Sequence, residues 1–163
     1  MCSSDLDFGG DLDEAGSVVI QPSDGRMLVG GSTYTGGASK FAVARLVQGG
    51  GLDSTFDGDG RQTIEFGSTT NIGGLVALES DGKIVVAGTA YVSASGHDFA
   101  VARLTTYGAP DKGFGAGDGK VTTTFSRMSD DYGADVLVQP DDRIVVGGWT
   151  ASSRFALARY LAA

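Results

Sequence analysis

Three arginines stand at matching places in this sequence, and their surroundings limit what they can do. Arg45, Arg103 and Arg159 each follow Phe-Ala-Val-Ala or Phe-Ala-Leu-Ala, in residues 41–46, 99–104 and 155–160. In a strand, alternate side chains share a face, so Phe41, Val43 and Arg45 point the same way. A guanidinium among core residues needs a partner, because an unpaired buried charge is costly. Asp53 follows Arg45 by eight residues, and Asp111 follows Arg103 by eight. This spacing predicts that each of these two pairs forms a salt bridge that pins the following turn to its strand. A ring of arginines binding an anion is the functional alternative, but one copy per repeat suits a scaffold better.

Other groups offer weaker chemistry. Asp57-Gly58-Asp59-Gly60 alternates carboxylates with glycine, as calcium loops do. It lacks the spacing of an EF-hand loop, no bidentate Glu follows, and the second copy (Gly115-Ala116-Gly117-Asp118-Gly119) has one acid fewer. A plain turn is the expectation. His97 is the only histidine and lies in Ser95-Gly96-His97-Asp98. Neighbours in sequence do not make a catalytic triad, and no G-x-S-x-G elbow is present, so a loop histidine is expected. Tyr34, Tyr91 and Trp149 fall near the end of the second hairpin strand of their repeats. Exposed aromatics there would stack on sugars or peptides; packing between repeats is the preferred reading. No residue is assigned a catalytic, cofactor-binding or metal-ligating role, and neither enzymatic activity nor a cofactor is expected.

The elements that carry these residues recur. Residues 18–31, 76–88 and 136–148 each hold two apolar runs around a short polar turn, twice carrying Asp-Gly, which is a strong hairpin signal. The arginine runs supply a third strand per repeat. Residues 61–66 and 120–125 supply a fourth, with β-branched and aromatic residues alternating with polar ones. The arginines lie 58 and 56 residues apart, so the period holds four strands. No segment has a helical period. Four short antiparallel strands per repeat is the blade of a β-propeller, and runs such as Ile84-Val85-Val86-Ala87 are apolar on both faces, as a sheet between neighbouring sheets requires. The fold class is therefore all-β, with about three four-stranded antiparallel blades of an incomplete propeller. A β-solenoid fits less well, since its rungs are shorter and lack hairpins of this kind.

Composition agrees. Glycine makes up 27 of 163 residues, more than twice the ~7% typical of proteins, with no three-residue period. Twenty acids against twelve bases give a formal charge of −8, which argues against a basic nucleic-acid surface. Cys2 is the single cysteine, so neither an intrachain disulfide nor a cysteine-based metal site is available. No apolar stretch approaches the ~18 residues of a membrane span.

The hairpin Gln-Pro-x-Asp-Gly (Gln21, Pro22, Asp24, Gly25; with Gln139, Pro140, Asp141), the F-A-V-A-R-L strand and the turn L-D-x-x-F-x-G-x-G resemble the delta-60 repeat, a bacterial β-propeller repeat. The turn reads Leu52-Asp53-Ser54-Thr55-Phe56-Asp57-Gly58-Asp59-Gly60. Its second copy, from Pro110 and Asp111 through Phe114 to Gly119, has proline for leucine and one extra residue. The third hairpin has Asp142 where glycine is expected. The resemblance implies a propeller within a large secreted or surface-attached bacterial protein, and it is nearly silent on activity.

The repeats are read as residues 9–67, 68–125 and 126–163, within a partial propeller over 7–163. Residues 1–6 do not resemble a fourth strand and are expected to be a non-native leader; Phe8 is expected to close such a strand. The third repeat stops before its last strand. Loops 32–39 and 89–96, the most variable between copies, are where binding would reside. The expected function is a non-catalytic scaffold for protein or surface interactions, with an unknown protein or glycan ligand. The alternative is a carbohydrate-binding or hydrolytic propeller whose site lies in other blades. Open blade faces are expected to drive self-association.

Overall fold

A computed structural model describes residues 6–67, 69–126 and 129–161. The leader expected over residues 1–6 thus lies outside the described residues apart from Leu6. All regular structure among the described residues is strand: β1 (Leu12–Ile20), β2 (Met27–Thr35), β3 (Ala38–Leu46), β4 (Arg61–Ile64), β5 (Asn71–Leu78), β6 (Ile84–Val92), β7 (Gly96–Leu104), β8 (Lys120–Thr123), β9 (Asp131–Val138), β10 (Ile144–Thr150) and β11 (Phe155–Tyr160). They form three antiparallel meanders, β1-β2-β3-β4, β5-β6-β7-β8 and β9-β10-β11, which we call blades 1, 2 and 3. The blades stack face to face without closing into a ring. Strand β5 lies against β1, β2 and β3, and β9 lies against β5, β6 and β7.

Pairing register makes the blades superimposable residue by residue. Phe41 pairs with Ser32, Phe99 with Thr89 and Phe155 with Trp149. Each first strand carries a bulge at the same place: between Ala15 and Ser17, between Gly73 and Leu75, and opposite Gly147 and Gly148. A bulge raises local twist, which lets the inner strand curve against the next blade.

Two cores fill the gaps between blades. Leu28, Phe41, Val43, Phe56 and Ile64 of blade 1 meet Val76, Ile84, Val86, Ala100, Ala102 and Leu104 of blade 2. Val85, Ala87, Phe99, Val101 and Phe114 of blade 2 meet Ile144, Val146, Ala156 and Ala158 of blade 3. Blade 2 thus spends both faces on burial, as its unbroken apolar strands demand. Phe41 and Phe99 are fully buried, each worth about 1.5–3 kcal/mol of burial. They fit because glycine faces them: a Cβ on Gly88 would lie 2.9 Å from the tip of Phe41, and one on Gly148 would lie 2.9 Å from that of Phe99.

Two expectations need correction. Segments 32–39 and 89–96 are mostly strand, for β2 runs to Thr35 and β6 to Val92, leaving turns at 36–37 and 93–95. Ser and Thr side chains hide nothing apolar, but their backbones still pair, so the strands outrun the hydrophobic pattern. The phenylalanines placed at the ends of fourth strands also lie outside them. Phe66 and Phe125 come after β4 and β8 and pack edge-on against Phe41 and Phe99, with ring centroids 5.2 and 5.0 Å apart. Phe8 lies before β1, and its N–H donates to Asp13 Oδ2 at 2.9 Å, as that of Phe125 donates to Asp131 Oδ2 at 2.8 Å.

Candidate functional site

The turn after β3 delivers the first arginine constellation. Arg45 is 5% exposed and Asp53 4%. Arg45 Nε donates to Asp53 Oδ2 at 2.8 Å, and Nη2 donates to Thr55 Oγ1 at 2.9 Å. Nη1 donates across the gap to the Thr106 carbonyl of blade 2. The guanidinium lies 4.9 Å from the centroid of the Phe56 ring, a cation–π distance. The turn and the strand after it also grip blade 2: the Asp57 N–H donates to the Tyr107 carbonyl at 2.8 Å, and Gln62 Nε2 in β4 donates to that of Gly108 at 3.0 Å. Burial alone would raise the Asp53 carboxyl. Hydrogen bonds from Thr55 and the charges of Arg45 and Arg26 outweigh it and hold the group below its ordinary value.

Blade 2 repeats the arrangement with one change. Arg103 Nε donates to Asp111 Oδ2 at 2.8 Å, and the guanidinium sits 4.9 Å from the Phe114 ring centroid. Phe114 in turn meets Tyr160 of blade 3 edge-on. Arg103 Nη1 donates instead to Glu79 Oε1 at 3.3 Å. Glu79 is buried, and that burial pushes its carboxyl above the ordinary range despite Arg103. Sequence reasoning paired each arginine with one aspartate and missed both the inter-blade reach and Glu79. A signal existed: Glu79 occupies the hairpin position held by Gln21 and Gln139.

Arg159 differs. It is exposed, and among the described residues no carboxylate pairs with it. Its blade face is uncovered, so nothing desolvates it.

Replacing Glu79 by Gln, the residue of the sister turns, should leave stability at pH 7 within about 1 kcal/mol, because Arg103 keeps Asp111. The pH response separates the two proteins. A carboxyl raised by folding prefers its proton in the native state, so the natural protein gains stability as pH falls through that raised value toward 4.5. The variant lacks this gain. The depressed Asp53 carboxyl acts oppositely, losing its contribution only as pH falls below 3.8. Denaturant melts of both proteins from pH 7 to pH 4 check the sign; a constant difference between them would refute it.

The remaining candidates resolve locally. Asp59 Oδ1 accepts from the Arg61 N–H at 2.9 Å, and Asp118 Oδ1 accepts from that of Lys120 at 3.0 Å, so both acids tie their own turns. Among the described residues no group of three or more His, Cys, Asp or Glu is placed to hold a metal ion. The Ser95 hydroxyl donates to Asp98, whereas His97 Nδ1 lies 3.0 Å from Asp130 Oδ1. Ser, His and Asp of this segment therefore form no relay. The His97 ring lies between Tyr91 and Tyr132, and Tyr132 stacks on Trp149 with centroids 5.7 Å apart. Register shows that Trp149 matches Thr89 and Ser32 rather than the two tyrosines. Trp149, Tyr91 and Tyr34 remain 48%, 42% and 43% exposed.

At the opposite end, the turns at Gln21–Ser23, Leu78–Gly82 and Val138–Asp142 surround an open cavity of about 570 Å³. Ser80 donates its N–H to Asp142 Oδ1 at 2.7 Å, joining two of these turns. Asp142 replaces the usual glycine and still adopts positive φ, at 59°, a region that Asp tolerates. No helix is long and apolar enough to cross a membrane among the described residues.

A family model described as "Domain of unknown function (DUF5122) beta-propeller" matches residues 23–56, 79–114 and 139–162, more than half of the chain. The first two segments end on the phenylalanines that cover the guanidinium, Phe56 and Phe114. A search of curated proteins found no match.

Proposed function

The chain belongs to the DUF5122 β-propeller family, and we propose that it is a non-catalytic scaffold whose rims mediate protein or surface interactions. One observation carries the reading. The charged constellation that repeats, Arg–Asp–Phe, has its arginines and phenylalanines buried, and it ties turn to strand while reaching the next blade through Arg45 and the Thr106 carbonyl and through Phe114 and Tyr160. Groups that catalyse need access to substrate, and the two guanidinium groups are 5% exposed or less. The delta-60 type of the repeat belongs to this proposal, supported by the 58- and 56-residue arginine spacing and the L-D-x-x-F turn, and a secreted or cell-surface setting enters it only as what that resemblance implies.

A second reading rests on the aromatic row Tyr91, His97, Tyr132 and Trp149. Adjacent rings with exposed edges suit a carbohydrate. A panel of chromogenic esters, glycosides and phosphate esters tests the first reading, and a glycan array the second. The scaffold reading expects no turnover above blank and no glycan signal that depends on Trp149. Turnover of any substrate overturns it, and glycan binding abolished by Trp149→Ala moves the assignment to the second.

A further inference from the structure

The β1–β2, β5–β6 and β9–β10 turns bring three equivalent side chains to one cavity. Gln21, Glu79 and Gln139 hold the same hairpin position, and all three line the open cavity of about 570 Å³. Gln21 is 6% exposed, and its Oε1 is buried without a hydrogen-bond partner. Gln139 Oε1 is buried and unpartnered in the same way. Buried acceptors are normally satisfied, so orphans at equivalent places of two hairpins call for a donor. Glu79, also 6% exposed, puts a carboxylate at the third place.

The charge of the wall names that donor. Asp81 and Asp142 line it too, and no lining residue is lysine or arginine. The bases beside it are shared among more acids than they neutralise. Lys83 pairs with Asp81 at 2.6 Å and with Asp111 at 4.0 Å, and Arg103 pairs with Asp111 and Glu79. Asp142 accepts from the N–H and hydroxyl of Ser80, which bring no charge. An anion would be repelled here. A metal ion lacks its ligands, since among the described residues no three of His, Cys, Asp or Glu gather to hold one. An ammonium group carries three donors and no acceptor, so it meets both the amide oxygens and the charge. Acceptors on three separate turns, around a cavity within the ~300–1,000 Å³ of ligand sites, suit a chain with several such groups.

We propose that these turns form a binding site for a polyamine-like ligand, whose ammonium groups donate to Gln21, Gln139, Glu79 and Asp142. A free polyamine and a lysine-rich segment of another protein share this chemistry. The assignment rests on these turns alone and is independent of the scaffold reading.

Titration calorimetry at low salt, with spermidine and with acetylated, amidated trilysine, tests the site. Saturable binding is expected, and the tighter probe identifies the source as free amine or protein segment. Glu79→Gln and Asp142→Gly should each weaken binding at least about 10-fold. Glutamine is the residue of the sister turns, and glycine accepts the positive φ of position 142, so both variants should keep their circular dichroism. Asp59→Asn removes an acid that does not line the cavity and should leave affinity unchanged. Equal weakening by Asp59→Asn would mean diffuse attraction to an acidic surface. That result, or no saturable binding of either probe, overturns the site.

Discussion

Replacing Arg103 by methionine should destabilise the protein by about 3–5 kcal/mol, while the same change at Arg159 should cost about 0.5 kcal/mol or less. The two arginines close near-identical strands, so the difference isolates environment from motif. Arg103 is 2% exposed and faces two carboxylates, Asp111 at 2.8 Å and Glu79 at 3.3 Å. Methionine fills similar space but strands Glu79 and leaves Asp111 only the Lys83 ammonium at 4.0 Å and the Gly113 N–H. The loss measures that stranding rather than the net worth of the ion pairs, since removing one partner leaves uncompensated charge in a dry site. Lost contact with the Phe114 ring adds to it. Among the described residues Arg159 has no such acids, and it is exposed. Urea melts with unchanged m report the two losses. Equal effects at both sites would mean that the arginine acts within its own strand and not through burial between blades.

That contrast also marks how far the sequence could be read. The meander order and three-blade count follow from hairpins at fixed spacing, because period-2 patterning and Asp-Gly turns are local signals. The Arg45–Asp53 contact was legible for the same reason, being eight residues long. What escaped is non-local. The Arg45 bond to the Thr106 carbonyl spans 61 residues and uses a backbone atom that every residue type supplies. Glu79 reaches Arg103 only because the β5–β6 turn and the β7 strand share one sheet. The aromatic row was hidden similarly: Tyr132 precedes the apolar run of its strand, register sets it opposite Trp149, and the stacking of blades 2 and 3 brings it to His97. Strand ends at Thr35 and Val92 were missed because polar residues carry ladder hydrogen bonds as well as apolar ones do.

The bulge glycines give the sharpest test of how the blades approach one another. Gly74 is the unpaired residue of the β5 bulge, at φ +95°, and a Cβ there would lie 1.8 Å from the Gly31 carbonyl oxygen of blade 1. That oxygen is backbone, so no rotamer change relieves the clash; the blades must part. Gly74→Ala should therefore cost about 3 kcal/mol or more, from overpacking together with the disfavoured left-handed backbone. Gly58 separates the two contributions. Its φ is +91°, yet nothing lies within 4 Å of its Cβ position, so Gly58→Ala should cost only the ~1–2 kcal/mol of conformation. Gly16 separates them from the other side. It occupies the same bulge in blade 1, where the nearest atoms to a Cβ stand 3.8 Å away. Gly16→Ala should leave stability nearly unchanged. If Gly74→Ala costs no more than Gly58→Ala, the inter-blade gap is soft and glycine there serves the bulge alone. A larger loss at Gly74 than at both controls assigns it to the backbone contact between blades, the contact that sets how tightly successive sheets can stack.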